Sequence, residues 1–246
     1  MADTSVAPPS AMDRRFNLAF WRHPNFRWWV STLRRHPLAS LPALVRSLRA
    51  THVLTGRFFP LKVRVSPGQR FTVSRCPGTT CELVGTLSVS DWCGSFLPSS
   101  ISMAPGAVFR VLGDLEIGPN VHLIMAPGAR LSVGGKKALR ASGFTADIRV
   151  MSERDVAIGF DCIVGWGSVI TDSDWHTMVA RSRQADVTIH DRVWVAHGVS
   201  ILKGTCLPEG CVVAAHSLVN SGSFAPRSLI GGCPAKVLRS DVSWDH

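Results

Sequence analysis

No apolar run in the 246-residue chain approaches the roughly 18 residues that a bilayer-spanning helix requires, so no membrane span is expected. No compact apolar stretch followed by a small-residue cleavage site opens the chain, so no secretory leader is expected either. The seven Cys are odd in number and irregularly spaced, and they read as reduced thiols of a cytosolic protein rather than a disulfide framework. Cys76 and Cys81, with Cys93 further on, are the one grouping that suggests a metal. No second pair completes a structural zinc pattern, and no metal is expected. Charge is sparse, at 18% of residues, and acid is scarcest at the start. Residues 1–70 hold twelve basic side chains against only Asp3 and Asp13, whereas the remaining 176 residues hold fifteen of each sign. The net charge of +10 therefore belongs to the N-terminal segment.

What is present in quantity is a repeat. Residues 187–222 divide into the sixes VTIHDR, VWVAHG, VSILKG, TCLPEG, CVVAAH and SLVNSG. Ile189, Val195, Ile201, Leu207, Val213 and Val219 fall at each third place. A six-residue period fits neither a helix nor the alternation of a flat strand. It fits a coil with corners, in which each six supplies one short side and one turn. A second inward place follows four positions later, at Val193, Val199, Thr205, Cys211 and Ser217. A three-sided coil of eighteen residues predicts that Ile189 stacks on Leu207, Val195 on Val213 and Ile201 on Val219. One coil cannot close a core alone, so neighbours must bury one another's apolar side chains.

Along the chain, residues 1–12 are small and Pro-rich and are expected to form a disordered tail. Residues 13–56 read as a basic helical segment with breaks at Pro24, Pro37 and Pro42. Trp21, Trp28 and Trp29 sit there among the arginines. Two readings stay open: a cap that packs on the first coil or on a neighbouring subunit, and a basic amphipathic surface lying on the inner face of an anionic membrane. No recognised nucleic-acid motif is present. Residues 57–240 form the coiled domain, and 241–246 a short C-terminal tail. Pro67-Gly68 marks a turn between strand-like runs. SMAPGAVF at 102–109 and IMAPGARL at 124–131 echo each other at an offset of 22, one coil plus a few inserted residues. Gly134-Gly135-Lys136-Lys137 reads as a loop, with order returning at Ile158, Val164 and Ile170. After Ile170 the next third-place aliphatic should stand at 176, yet Ile189 comes thirteen residues late. Residues 171–186 are therefore thrown out from a corner, and loops of that length in compact domains are usually functional or disordered.

The sextets, the phrase HDRVWVAHGVSILKG and the ending IGGCPAKVLR resemble the hexapeptide-repeat acyltransferases, in particular the galactoside, maltose and capsular-polysaccharide O-acetyltransferase branch. The likeness is clear over 156–240, weaker over 61–155 and absent over 1–56. It implies an all-β, left-handed parallel β-helix, a homotrimer with active sites between neighbouring prisms, and acetyl transfer from acetyl-CoA to an alcohol of a carbohydrate acceptor. The handedness comes from the resemblance alone, since parallel crossovers are ordinarily right-handed.

A sugar hydroxyl is a weak nucleophile at neutral pH and needs a base as the new C–O bond forms. Histidine suits the task. His176 lies in the thrown-out loop and matches the family's loop histidine, making it the expected base. Asp172 or Asp174 could hold its second ring nitrogen, or could cap backbone amides instead; Asp147, Glu153 and Asp155 are more distant alternatives. Trp194 stands at the Trp of the family's VWIG phrase and should point outward, beside the substrates or against a neighbouring subunit. Trp166 and Trp175 are further stacking surfaces for a sugar. By resemblance, CoA would run along the edge marked by His197, Ala215 and Asn220, with Lys236 and Arg239 meeting its phosphates. His197 departs from the small residue that the family carries there. The hydratase class resembling γ-carbonic anhydrase needs two His five apart, and neither His190 with His197 nor His197 with His216 fits. N-acetylation of an amino sugar and a non-catalytic scaffold remain the alternatives.

Overall fold

The computed structural model describes residues 24–35, 37–91, 97–138, 142–179 and 181–245. The expected tail at 1–12, residues 13–23 of the helical segment and Cys93 lie outside them. Among the described residues the strands fall into three sheets of nine, seven and six. Nearly all pair in parallel with the strand one full coil away, and successive strands visit the three sheets in turn. The chain thus winds as the expected parallel β-helix, with its helices confined to the N-terminal segment.

The stacking read from the sixes is the observed register. Ile189 pairs with Leu207, Val195 with Val213 and Ile201 with Val219. All six are buried, as are Val193, Val199, Thr205, Cys211 and Ser217. Each fully buried aliphatic of this kind contributes about 1.5–3 kcal/mol relative to exposure. The echo at an offset of 22 is also a register: Met103 pairs with Met125, so the two MAPG turns lie in neighbouring coils. Ile158 pairs with Ile189, Val164 with Val195 and Ile170 with Ile201, so the coil closes over the interruption.

Gly134 and Gly135 depart from the expected loop. They end the strand Arg130–Gly135, and Gly135 pairs with Phe160. A Cβ on Gly134 would lie 2.5 Å from the carbonyl carbon of Gly159, so the two glycines mark a close approach of two backbones rather than a break. Order also returns earlier than expected, with strands at Gly143–Phe144 and Arg149–Ser152.

The open N-terminal end of the prism is covered by helices α1 (Pro24–Arg35) and α2 (Pro37–Thr55). Both begin at the expected prolines. Pro42 lies inside α2 and does not break it. Helix α2 turns Ser40, Ala43, Ser47, Ala50, Thr51 and Leu54 inward. The Val63 amide donates to Thr51 Oγ1 at 3.0 Å and the Val65 amide to Ser47 Oγ at 2.9 Å. The Arg75 guanidinium donates to the Leu54 carbonyl at 2.9 Å and the Val53 carbonyl at 3.1 Å. The helix therefore supplies acceptors to an end strand whose amides would otherwise be orphaned. The capping reading of this segment is what its packing shows for α2.

Candidate functional site: a projecting loop and a ring-lined corner

Interruption of the sixes produces a projecting loop between the strands Val169–Thr171 and Val187–Ile189. Its stem is a short antiparallel pairing: Ser173 bridges Gln184, the Asp174 amide donates to the Arg183 carbonyl at 3.0 Å, and the Ala185 amide donates to the Asp172 carbonyl at 3.0 Å. Beyond this stem the chain carries Trp175, His176, Met178 and Val179, all exposed, Val179 almost fully. Trp175 has φ of 60°, an uncommon conformation for a bulky residue. Its amide is held by Ser173 Oγ at 2.9 Å and its indole donates to Thr171 Oγ1 at 3.2 Å. The ring of His176 has no hydrogen-bond partner among the described residues.

Three acidic residues hold the stem. Asp172 is fully buried, and its carboxylate accepts from the Glu153 amide at 2.7 Å, the Arg154 amide at 2.8 Å and Ser152 Oγ at 3.0 Å. It anchors the loop to the preceding coil, in the amide-capping arrangement that is the alternative to orienting His176. Asp174 forms an ion pair with Lys203, which also donates to the Ser182 carbonyl. Glu153 pairs with Arg183 and accepts from Ser173 Oγ. Burial pushes the Glu153 carboxyl up, but hydrogen bonds from Ser173 and Gln184 and the charge of Arg183 outweigh it, leaving it below the ordinary carboxylate range. Asp155 is engaged by Arg130 at 2.9 Å and Asp147 by Asn120 at 2.7 Å. Among the described residues, none of the five acids bonds the His176 ring. Lys203 and Arg183 were not foreseen as loop supports. The signal for Lys203 was a cation in the turn of VSILKG, one coil below the interruption.

The residues expected along one CoA edge lie at two corners. Asn220 ends the strand Leu218–Asn220 of the seven-stranded sheet, at the corner where the His176 loop departs. His197 and Ala215 lie at the preceding corner, between the nine- and seven-stranded sheets, and a whole side of the prism separates the two. That preceding corner takes positive φ coil after coil, at Asn120 (55°), Asp147 (55°), Gly167 (73°), Gly198 (66°) and His216 (56°). Here the ring of His197 stacks on Trp166 with centroids 5.3 Å apart, and its other neighbour is His216, edge-on at 4.7 Å. A Cβ on Gly198 would lie 2.6 Å from His216 Nδ1, so the absent side chain makes room for this column. Ala215 beside it is exposed.

Trp194 points outward from the nine-stranded sheet, 41% exposed, with Trp244 tilted against it at 6.1 Å. The Trp244 indole donates to the Arg192 carbonyl at 2.9 Å, a covering contact that the sequence did not announce. Lys236 and Arg239 are exposed on the antiparallel strand Ala235–Arg239 that closes the same sheet. Neither forms an ion pair among the described residues. One chain therefore brings His176 and Asn220 to one corner, and Trp166, His197 and Ala215 to another. It does not bring the two groups together.

No family model matches the chain. Among curated proteins it is 29% identical over 147 residues to a Mycobacterium tuberculosis protein named as a probable acetyltransferase, covering 54% of this chain and 47% of that one. It is 30% identical over 107 residues to WbbJ of Escherichia coli K12, whose name provisionally assigns it to lipopolysaccharide O-acetyl transfer, covering 37% and 54% of the two chains. A Klebsiella pneumoniae protein of the cps region, uncharacterised, is 27% identical over 137 residues, covering 54% of this chain and 62% of that one. The chain thus spans 47% to 62% of the length of these relatives. Among solved structures, the polysialic acid O-acetyltransferase OatWY overlays with a TM-score of 0.40 at 18% identity, over 72% of this chain and 90% of that one. The polysialic-acid-specific acetyltransferase NeuO gives 0.41 at 19%, over 75% and 88%. Overlays this loose carry no weight for function.

Proposed function

We propose that this chain, a hexapeptide-repeat protein related in sequence to named acetyltransferases, transfers an acetyl group from acetyl-CoA to a hydroxyl of a carbohydrate acceptor. The observation that carries the reading is the loop itself: an otherwise regular coil is interrupted to hold an exposed, unpartnered His176 on a stem fixed by Asp172, Glu153–Arg183 and Asp174–Lys203. A scaffold has no need of such a histidine. The WbbJ relative, named for lipopolysaccharide O-acetyl transfer, favours oxygen over nitrogen as the acceptor atom.

In this mechanism the acceptor hydroxyl attacks the thioester carbonyl while its proton passes to the free ring nitrogen of His176. The tetrahedral oxyanion collapses, the C–S bond breaks, and the CoA sulfur leaves with the proton returned by the imidazolium. General base catalysis of this kind contributes ~10²–10⁴-fold. The donor would lie along the corner where Ala215 is small and exposed, beside the ring column of Trp166, His197 and His216, with Trp194 on the adjoining face. Lys236 and Arg239, exposed and unpaired among the described residues, suit its phosphates. Because this corner and the His176 loop are a side apart in one chain, the reading requires a homotrimer in which the loop of one prism meets the donor corner of the next. The nearly fully exposed Val179 and the exposed Met178 beyond the loop stem are consistent with such a contact.

The test is to mix pure protein with acetyl-CoA and a panel of oligosaccharides and amino sugars while following CoA release. Acetylated hydroxyls are expected. Transfer to amines alone would replace the reading with N-acetylation, and no transfer to any acceptor would favour the scaffold.

A further inference from the structure

The helical cap does more than close the prism. Between Asp13 and Glu82 the chain contains no acidic residue at all, so no cation of this stretch has a carboxylate from within it. Within α2 the inward face is fixed by Ser47, Ala50 and Leu54 against the first coil and by Ala43 against Trp29 and Leu61. The opposite face, by helical spacing, carries Leu38, Leu41, Val45 and Arg49. Leu38 is 92% exposed, Leu41 65% and Val45 57%. A soluble helix of ordinary pattern places polar residues there. Arg34 and Arg35 close the preceding helix and are exposed. At the other end of α2, Phe58 is half exposed and stacked on His52, with Arg57 exposed beside it.

We propose that this outer face of α2, with its flanking arginines, docks on the surface of an anionic phospholipid bilayer. The leucines and valine would enter the headgroup boundary while Arg34, Arg35, Arg49 and Arg57 meet lipid phosphates. Two independent features select this partner. Charge complementarity is one: a cationic surface with no acid within the segment matches an anionic sheet. The apolar stripe is the other, because it decides against nucleic acid: a phosphate backbone has nothing to offer Leu38, Leu41 and Val45, whereas an interfacial helix buries that very face. The proposal stands independently of the acetyl-transfer reading. If both hold, the end of the prism nearest α2 faces the bilayer and the acceptor is one presented close to that surface.

The test uses the full chain in co-sedimentation with vesicles of phosphatidylcholine alone and of phosphatidylcholine with phosphatidylglycerol. The wild type is expected on the anionic vesicles only, with binding that weakens as salt rises. The variant Leu38→Ser, Leu41→Ser, Val45→Ser and the variant Arg34→Gln, Arg35→Gln, Arg49→Gln should each lose binding. The arginine variant should bind on the order of a hundredfold more weakly. Every substituted side chain is exposed, so both variants are expected to melt at the wild-type temperature. Anionic-vesicle binding by the serine variant equal to the wild type would overturn the proposal. So would binding of the wild type to an oligonucleotide that the serine substitutions leave intact. A serine variant that melts well below the wild type, with no vesicle binding by either protein, would show instead that the face is covered by another part of the chain.

Discussion

At the scale of single residues, the acids of the loop separate into distinct tasks once their partners are known. Asp172 is buried and satisfies two backbone amides and a hydroxyl. Its replacement by Ala leaves those donors unpaired away from water, and unfolding in urea should report a loss of about 1–3 kcal/mol. Asp174 is half a surface ion pair with Lys203, and Asp174→Ala should cost under about 1 kcal/mol in the same measurement. The sequence could mark both as loop acids beside His176, but not which of them is buried. That difference comes from the coil before the loop, where Ser152, Glu153 and Arg154 turn their donors toward one of the two. His197 behaved similarly. Its departure from a small residue was legible, while its stacking between Trp166 and His216 depended on coils 31 residues before and 18 after in register.

At the scale of elements, regularity governed what could be read. Where coils keep eighteen residues, as from Ile189 to Leu207, the pairings follow from counting alone. Where coils lengthen, as in the offset of 28 between Phe71 and Ser99, insertions at corners hide the period, although the strands still form. Gly134 and Gly135 looked like punctuation because glycine marks both loops and close backbone contacts, and only the neighbouring coil distinguishes them. Pro42 looked like a break, yet α2 continues through it while resting on the first coil. The loop stem has its own testable dependence on pH. Glu153 is held below the ordinary carboxylate range by Ser173, Gln184 and Arg183 despite burial. Its contribution to the stem is therefore fully present above the unfolded carboxylate pKa of roughly 4.3 and is lost as pH falls through the lower folded value. The Asp174 amide, bonded to the Arg183 carbonyl, should keep its hydrogen-exchange protection factor from neutral pH down to that range and lose it below, the rate approaching the intrinsic one. In Glu153→Gln the protection should already be reduced at neutral pH.

At the scale of the whole molecule, the prism sets the projecting loop and the ring-lined surface a side apart. One chain holds His176 at one corner and the ring-lined surface at another, so the proposed reaction requires copies side by side. Sedimentation equilibrium should return about three times the 26.7 kDa chain mass. A chain that stays monomeric at the concentration of the assay yet turns over acetyl-CoA would contradict a site shared between prisms. None of this could be read from the sixes alone, because a repeat that stacks coils along an axis says nothing about which side faces a neighbour. What the repeat did make legible was its own interruption, and with it His176. The most direct measurement is transfer of isotopically labelled acetyl from acetyl-CoA to the acceptor hydroxyl, compared between the wild type and His176→Ala at matched fold and matched acetyl-CoA binding. The expected result is a fall in kcat of ~10²–10⁴-fold with donor affinity retained; undiminished turnover in His176→Ala would contradict it.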